Sequence, residues 1–344
     1  MKVNCWNEYD RLKTIILGSV YDLDRVPAIY EGKDQEAFIK INEQSYQELL
    51  EFQKILEQHD VKVLRPSQPK SYNNLPNMIK QSPLINMRDF HLAYGNLFFL
   101  TYGSFGNRRF QHAWIEKIVN DLIDQDNFVL SANEFNFHYD DSFLKNTSQK
   151  EHFVKTYTKN YQMNNLYHAA SLLKHNNIAI ASMVAGSPIG TKWIQKWLST
   201  LNIEYVKVPT VGHIDGVHSI LRKDLLLSSI EYTPLKKFFN DIIIVSSKPE
   251  YHQWRDDDAL ASKVKNPTGW LYECQGYFQE FCAEANALSI DPETVCLSFY
   301  DKDFYSRLKN KGINAIYVQW KNRHFWGGGL HCITLDIERD HAGM

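Results

Sequence analysis

The chain has few cysteines, no large excess of charge and no long apolar run, and each lack excludes a class of protein. Five of the 344 residues are cysteines, an odd number at scattered spacing and without a Cys-x-x-Cys pair. The sequence therefore indicates neither a disulfide framework nor a zinc site. A formal net charge of −2, without a basic tail, argues against nucleic acid as a partner. No segment is long enough for a transmembrane helix, and the first residues lack the apolar stretch of a secretion signal. We expect a cytoplasmic protein that binds neither membrane nor metal.

Apolar residues repeat a theme of strand, polar connection, amphipathic helix and strand five times. The paired strand-like runs are 14–17 with 61–64, 91–100 with 128–130, 178–181 with 205–208, 225–227 with 242–245, and 295–297 with 315–318. A repeat cannot bury its apolar face alone, so the pattern favours a closed ring of modules, completed by a strand over 333–337. An open doubly wound sheet is the alternative, but no G-x-G-x-x-G follows an early strand. We expect one α/β domain over 1–344, with insertions at about 131–165 and 249–276.

The run Gly327-Gly328-Gly329-Leu330-His331-Cys332 places a thiol after three glycines and before the strand-like run 333–337. Glycines allow positive φ and close approach of a ligand to the backbone. A cysteine delivered in this way is typical of a nucleophile, and a buried structural cysteine after a tight turn explains the segment equally well.

Other reactive side chains stand at equivalent places in the repeat, just before a strand or at its start: Asp89, His168, His213 and Asp215. Taken singly, each also fits a turn, a surface ion pair or a core histidine. In a ring of modules such entrances converge on the axis, so the sequence predicts one site formed by these four residues and Cys332. Carboxylates beside a thiol oppose thiolate formation unless the substrate brings positive charge, and a planar guanidinium matches two carboxylates.

These motifs resemble those of the amidinotransferases in the guanidino-modifying superfamily, of the glycine amidinotransferase type. The resemblance covers most of the chain and is carried by Asn7-Glu8-Tyr9-Asp10, Met87-Arg88-Asp89, Gly95-Asn96, His213-Ile214-Asp215, Asn286 and the terminal Gly-Gly-Gly-Leu-His-Cys run. It implies a five-bladed α/β propeller with pseudo-fivefold symmetry.

The resemblance also implies a ping-pong transfer of an amidino group from a guanidino donor to an amine. Cys332 would attack the guanidinium carbon, and His213 would protonate the leaving amine and later deprotonate the acceptor. Asp89 and Asp215 would clamp the guanidinium nitrogens. Further substrate-binding positions are predicted at Arg88, Tyr232, Asn286, Gly328, Gly329 and His331. No cofactor is implied; the partners are a small-molecule donor and an amine, and a homodimer is an expected state because resembling enzymes form dimers.

Three departures separate this chain from the family pattern. His168 stands where an aspartate should orient the catalytic histidine, so we count it as a catalytic candidate. Tyr232 lies near the position of an arginine that grips a substrate carboxylate, and Gln279 and Glu280 fall near a serine pair. Altered recognition leaves three alternatives to amidino transfer in specialised metabolism: acyl transfer from a carrier-protein thioester to an amine, deiminase-type hydrolysis, and a binding module without catalysis.

Overall fold

The fold is of the α/β class and is built from short strands with helices between them. The computed structural model describes residues 1–28, 32–70, 83–103, 106–132, 166–183, 185–210, 212–231, 233–246 and 284–341. No helix in these ranges combines the length and the apolar character needed to cross a membrane. The predicted insertions at about 131–165 and 249–276 lie, apart from residues 131 and 132, outside the described residues.

Fifteen strands of three to six residues are present in the described ranges. They are β1 Leu12–Leu17, β2 Lys62–Leu64, β3 His91–Tyr94, β4 Leu97–Leu100, β5 Phe128–Ser131, β6 Leu172–His175, β7 Ile178–Ser182, β8 Glu204–Val208, β9 His218–Arg222, β10 Leu225–Ser228, β11 Asp241–Ile244, β12 Leu288–Asp291, β13 Thr294–Leu297, β14 Asn314–Tyr317 and β15 Thr334–Arg339.

The strands form five three-stranded sheets of the same design. In β3-β4-β5, β6-β7-β8, β9-β10-β11 and β12-β13-β14, the first two strands are antiparallel and the third joins the second in parallel. The fifth sheet has the order β15-β1-β2, so the last strand pairs with the first unit. The predicted pairing of the run after Cys332 with the first unit is thereby confirmed.

Helices provide most of the parallel crossovers, as a parallel pair requires. The crossover helices are α1 Gly32–Gln58, α2 Glu116–Ile123, α3 Pro188–Thr200 and α4 Lys302–Asn310, and the short α5 Arg323–Trp326 lies between β14 and β15. The start of α3 follows from its sequence: the side chain of Ser187 accepts a hydrogen bond from the Gly190 amide, and Pro188 occupies the first turn. Asp301 caps α4 in the same way. Between β10 and β11 the described residues contain only a 3-10 turn, Pro234–Lys237, where a helical module was expected.

Apolar side chains between neighbouring sheets form the core. The largest cluster joins β1 and β15 to α1 and includes Ile15, Ile16, Phe52, Trp114 and Leu335. Three smaller clusters fill the spaces between the other sheets. A turn or loop with polar residues precedes the first strand of each sheet. Packing between the sheets therefore fixes where these polar residues lie, and they form the candidate site.

Candidate active site

The cysteine turn is held by two glycines that act in different ways. Gly327 ends α5 with a φ of +69°, the left-handed region that glycine adopts without strain. Gly328 allows a close approach: a Cβ there would lie 2.6 Å from Asn86 Oδ1 and 2.7 Å from Cys332 Cβ. The turn therefore needs a glycine at 328 to keep the thiol in place.

Asn286, just before β12, fixes the nucleophile candidate from both sides. Its Oδ1 accepts a hydrogen bond from the Cys332 amide at 2.9 Å, and its Nδ2 donates to Cys332 Sγ at 3.0 Å. The same Nδ2 donates to the backbone oxygen of Asp215 at 2.9 Å. One amide side chain thus sets the separation between the thiol and the turn that carries Asp215.

Asp215 is fully buried and presents its two carboxylate oxygens differently. Oδ2 accepts from the Cys332 thiol at 3.6 Å and lies 2.9 Å from His331 Nδ1. Oδ1 has no hydrogen-bond donor among the described residues. A buried carboxylate oxygen without a donor is costly, and this one belongs to the carboxylate that contacts the thiol, where a hydrogen-bonding ligand could satisfy it.

Asp89 ends the 3-10 turn Met87–Asp89 and forms the second half of the site. Its Oδ2 binds the guanidinium of Arg108, which also lies over the Phe90 ring at 4.5 Å, and its Oδ1 lies 3.6 Å from His213 Nδ1. Burial would raise the pKa of Asp89, but Arg108 and His213 lower it below its ordinary value. Asp89 is therefore an ionised carboxylate inside the protein.

His168 lies beside His213, with ring centroids 5.5 Å apart, and also beside Phe90. Burial and the neighbouring His213 lower the pKa of His168 to about 3, although Asp89 acts in the opposite direction. His168 is consequently a neutral imidazole at physiological pH. It cannot supply the negative charge that an aspartate would bring to His213.

The turn His213-Ile214-Asp215 connects the two halves. Of the two predicted places, just before a strand or at its start, the structure shows the first: Ile214–Gly216 is a 3-10 turn, and β9 starts at His218. With three residues per turn, positions i and i+2 point in different directions. His213 therefore reaches Asp89 while Asp215 reaches Cys332.

Behind the thiol lies a buried network of charged groups. Arg88 donates from Nε to the backbone oxygen of His331 at 2.9 Å and forms ion pairs with Asp336 and with Glu8 Oε1, the latter at 3.6 Å. Lys174 adds a further contact to Asp336 at 3.5 Å. Arg88, predicted to bind substrate, is thus placed where its contacts fix the backbone of the cysteine turn.

The structure brings together Asp89, His168, His213, Asp215 and Cys332, whose positions before strands predict one site, and also Asn286, Gly328 and His331, which the resemblance implies. Gly329 lies in the same turn, where its oxygen accepts from the Ile333 amide. Tyr232, Gln279 and Glu280 lie outside the described residues.

Two contributors were missed by sequence reasoning. Arg108 follows a polar stretch without periodicity, so nothing in its surroundings indicates a buried partner for Asp89. Glu8 was noted within the Asn-Glu-Tyr-Asp motif, but no role was assigned to it. Within the described ranges no three His, Cys, Asp or Glu side chains are grouped so as to hold a metal ion.

No family model matches the chain, and no curated protein matches it. Solved structures do. SxtG, an amidinotransferase from Microseira wollei in the saxitoxin biosynthetic pathway, superposes with a TM-score of 0.69 at 18% identity, covering 99% of both chains. The inosamine-phosphate amidinotransferase StrB1 from Streptomyces griseus gives 0.65 at 18% identity, over 99% of this chain and 98% of that one.

The chain has the fold of the amidinotransferases. The N-terminal domain of ArgZ, a cyanobacterial arginine dihydrolase, shares it more distantly, with a TM-score of 0.56 at 13% identity over 96% of this chain and 98% of that domain. At these identities the likeness is one of fold, and it confirms the α/β class. The amidinotransferase fold thus accommodates transferases and a dihydrolase alike, so the chemistry of this chain depends on its own site.

Proposed function

We propose that the chain is a cysteine-dependent amidinotransferase that moves an amidino group from a small guanidino donor to an amine. The observation that carries the proposal is the buried Asp215 Oδ1, which has no donor among the described residues and belongs to the carboxylate that contacts the Cys332 thiol. A guanidinium N–H directed at this oxygen would satisfy it and bring the electrophilic carbon close to sulfur. The amidinotransferase fold supports the same reading.

We also propose that the five sheets are the blades of one propeller that closes through β15 and β1. Their common strand order and the pairing of the last strand with the first unit support this arrangement. The turns and loops before β3, β6, β9, β12 and β15 would then meet at one end of the axis. Contacts between these turns support the arrangement: Asn286 bonds to Asp215 and Cys332, and His213 lies beside Asp89.

In the first half-reaction the Cys332 thiolate attacks the guanidinium carbon, and the bond from that carbon to the leaving nitrogen breaks. His213 gives a proton to the departing amine, leaving an amidino group on sulfur. In the second half-reaction the acceptor amine attacks the same carbon, His213 takes its proton, and the carbon–sulfur bond breaks to release the thiolate. Asn286 holds the thiol, and Asp89 and Asp215 orient the guanidinium. These steps require neither a metal nor an organic cofactor.

A pair of isosteric alkylating agents tests this proposal without knowledge of the donor. A haloacetamidine carries a positive amidinium, whereas the haloacetamide of the same shape is neutral. Each rate of Cys332 alkylation, followed by intact mass, is divided by the rate with a free small thiol. We expect the amidine to be favoured by about tenfold or more, because a charge-assisted hydrogen bond contributes about 1.5–3 kcal/mol.

Matched variants make the result specific. Cys332→Ser should abolish the reaction with both agents. Asp215→Asn should bring the amidine-to-amide ratio close to one, and any effect on thiol reactivity itself cancels in the ratio. A ratio near one in the parent chain would contradict recognition of a guanidinium and favour the acyl-transfer alternative, which His168 in place of an aspartate and Tyr232 near the position of an arginine motivate.

Incubation with candidate donors then separates transfer from hydrolysis. An amidino adduct, adding CH2N2 to Cys332, is common to both. If the adduct decays in water as fast as with an amine present, the hydrolytic alternative replaces transfer. An adduct that persists until an amine is added is the result expected for a transferase. An acyl adduct from a thioester, without any amidino adduct, would overturn the proposal.

A further inference from the structure

The imidazole of His331 lies between two buried carboxylates directly beside the nucleophile candidate. Nδ1 is 2.9 Å from Asp215 Oδ2, and Nε2 is 3.4 Å from Glu8 Oε2, an ion-pair contact longer than an ordinary hydrogen bond. All three side chains are at most 3% exposed. The resemblance predicts that His331 binds substrate; in the structure its Nδ1 contacts Asp215 Oδ2, the same oxygen that accepts from the Cys332 thiol at 3.6 Å.

The contacts of the ring favour its protonated form. A carboxylate only accepts, so the hydrogen bond to Asp215 Oδ2 requires a proton on Nδ1. At Nε2 the Glu8 carboxylate, 3.4 Å away, makes an ion-pair contact rather than a hydrogen bond, and its negative charge favours a second proton on the ring. Glu8 is itself balanced by Arg88, 3.6 Å from its other oxygen.

We propose that His331 is a positioning residue: as an imidazolium clamped between Glu8 and Asp215, it locks the Asp215 carboxylate and offsets its charge beside the Cys332 thiol. With Oδ2 engaged, Oδ1 is left in a fixed direction for the substrate. That a guanidinium binds Oδ1 rests on the proposed function. The balance of charge beside the thiol rests only on the contacts of His331 with Glu8 and Asp215.

The groups that face His331 support this role. Burial and the nearby Arg88 lower its pKa, yet Glu8 and Asp215 outweigh them and the pKa of His331 is raised above its ordinary value. Burial would raise the pKa of Glu8, but His331 and Arg88 bring it below the ordinary value. Asp336, which binds Arg88, also contributes negative charge to this network. Without the imidazolium, Asp215 would oppose thiolate formation at Cys332.

The test is the thiolate titration of Cys332, read as absorbance at 240 nm in the parent minus that in Cys332→Ser. His331→Asn keeps a donor at the position of Nδ1 but removes the positive charge. We expect the midpoint of thiolate formation to rise by about one to two pH units. This is the effect of removing one positive charge that is separated from the sulfur by a single carboxylate group, at an effective dielectric constant of about 20. Each comparison uses its own Cys332→Ser background.

His112→Asn is the matched control, since His112 is a partly buried imidazole that binds His91 and the Thr101 oxygen rather than carboxylates. It should leave the midpoint where it is in the parent. A folded His331→Asn variant with an unchanged midpoint would overturn the proposal. A merely structural histidine would alter the unfolding transition of the protein without moving this midpoint.

A second measurement needs no substitution and covers the case in which His331→Asn does not fold. A neutron structure of the parent near neutral pH should show deuterium on both ring nitrogens of His331, and deuterium on one nitrogen only would refute the imidazolium. Neither readout uses a donor or an acceptor. A shifted midpoint without any amidino adduct would therefore refute the proposed function alone, and an amidino adduct with an unshifted midpoint would refute this inference alone.

Discussion

Replacing Gly328 with alanine should displace the thiol, whereas the same change at Gly327 should not. A Cβ at 328 would meet Asn86 Oδ1 at 2.6 Å and Cys332 Cβ at 2.7 Å, while ordinary contacts begin at 3.4 Å. The neighbours must therefore move by about 0.7–0.8 Å, and such overpacking costs about 1–3 kcal/mol. At Gly327 a Cβ meets nothing within 4 Å, but the φ of +69° costs alanine about 1–2 kcal/mol.

The two variants are thus expected to lose similar stability for different reasons. Urea unfolding measures that loss, and the rate of Cys332 alkylation by the haloacetamidine, normalised to a free thiol, measures thiol placement. A displacement approaching 1 Å at a reacting atom costs about 100-fold in rate, so Gly328→Ala should be slower by that order. Gly327→Ala should stay within a few-fold of the parent. Parent-like alkylation in Gly328→Ala would show that the contact to Cys332 Cβ does not govern the thiol.

Two further predictions concern histidines. His168→Asp should extend the imidazolium form of His213 to higher pH, because a carboxylate replaces a neutral ring beside it; His168→Asn, of the same size without charge, should not, and identical pH profiles of amidine alkylation in the two variants would contradict this. Burial lowers the pKa of His112 to about 4. In the unfolded chain the His112 imidazole has its ordinary pKa near 6.5, so as the pH falls it binds a proton before the folded protein does. This difference lowers the free energy of unfolding by about 2 kcal/mol between pH 7 and pH 5. Urea unfolding of His112→Gln should show a pH dependence smaller by that amount, and an undiminished dependence would refute it.

Most strands could be predicted from the sequence because they contain a short apolar run. The run 91–94 followed by 97–100 has the observed bounds, and Gly95, with a φ of +60°, makes the intervening turn. The strands Leu172–His175 and Leu288–Asp291 were missed, since Lys174 and His175 interrupt the apolar character of the first, and Ser289 and Asp291 that of the second. Lys174 is nevertheless fully buried, where Asp336 provides its ion pair. Propensity cannot reveal such a residue, because its partner lies far away in the sequence.

The site was predictable as a set of positions but not as a set of contacts. Residues before the first strand of each sheet do meet, which the repeat alone indicates. That Asn286 binds both the thiol and the backbone of Asp215 depends on distances that only folding defines. The contacts of Arg88 and Arg108 likewise depend on distances that only folding defines. Arg88 belongs to a recognised motif but supports the cysteine turn, while Arg108, outside any motif, reaches Asp89.

Two carboxylates beside a thiol seemed to require a cationic substrate to balance them, yet the protein balances much of this charge itself. Arg108 binds Asp89 through Oδ2, and His331 binds Asp215 through Oδ2. The second oxygen of each carboxylate has different surroundings. Asp89 Oδ1 faces His213, and Asp215 Oδ1 faces no donor among the described residues.

A guanidinium would therefore be recognised mainly through an oriented hydrogen bond to Asp215 Oδ1, and less through an excess of negative charge in the site. For this reason we expect the preference for the amidinium probe to lie nearer tenfold than hundredfold, and Arg108→Gln, which frees Asp89 from its cation, to increase it.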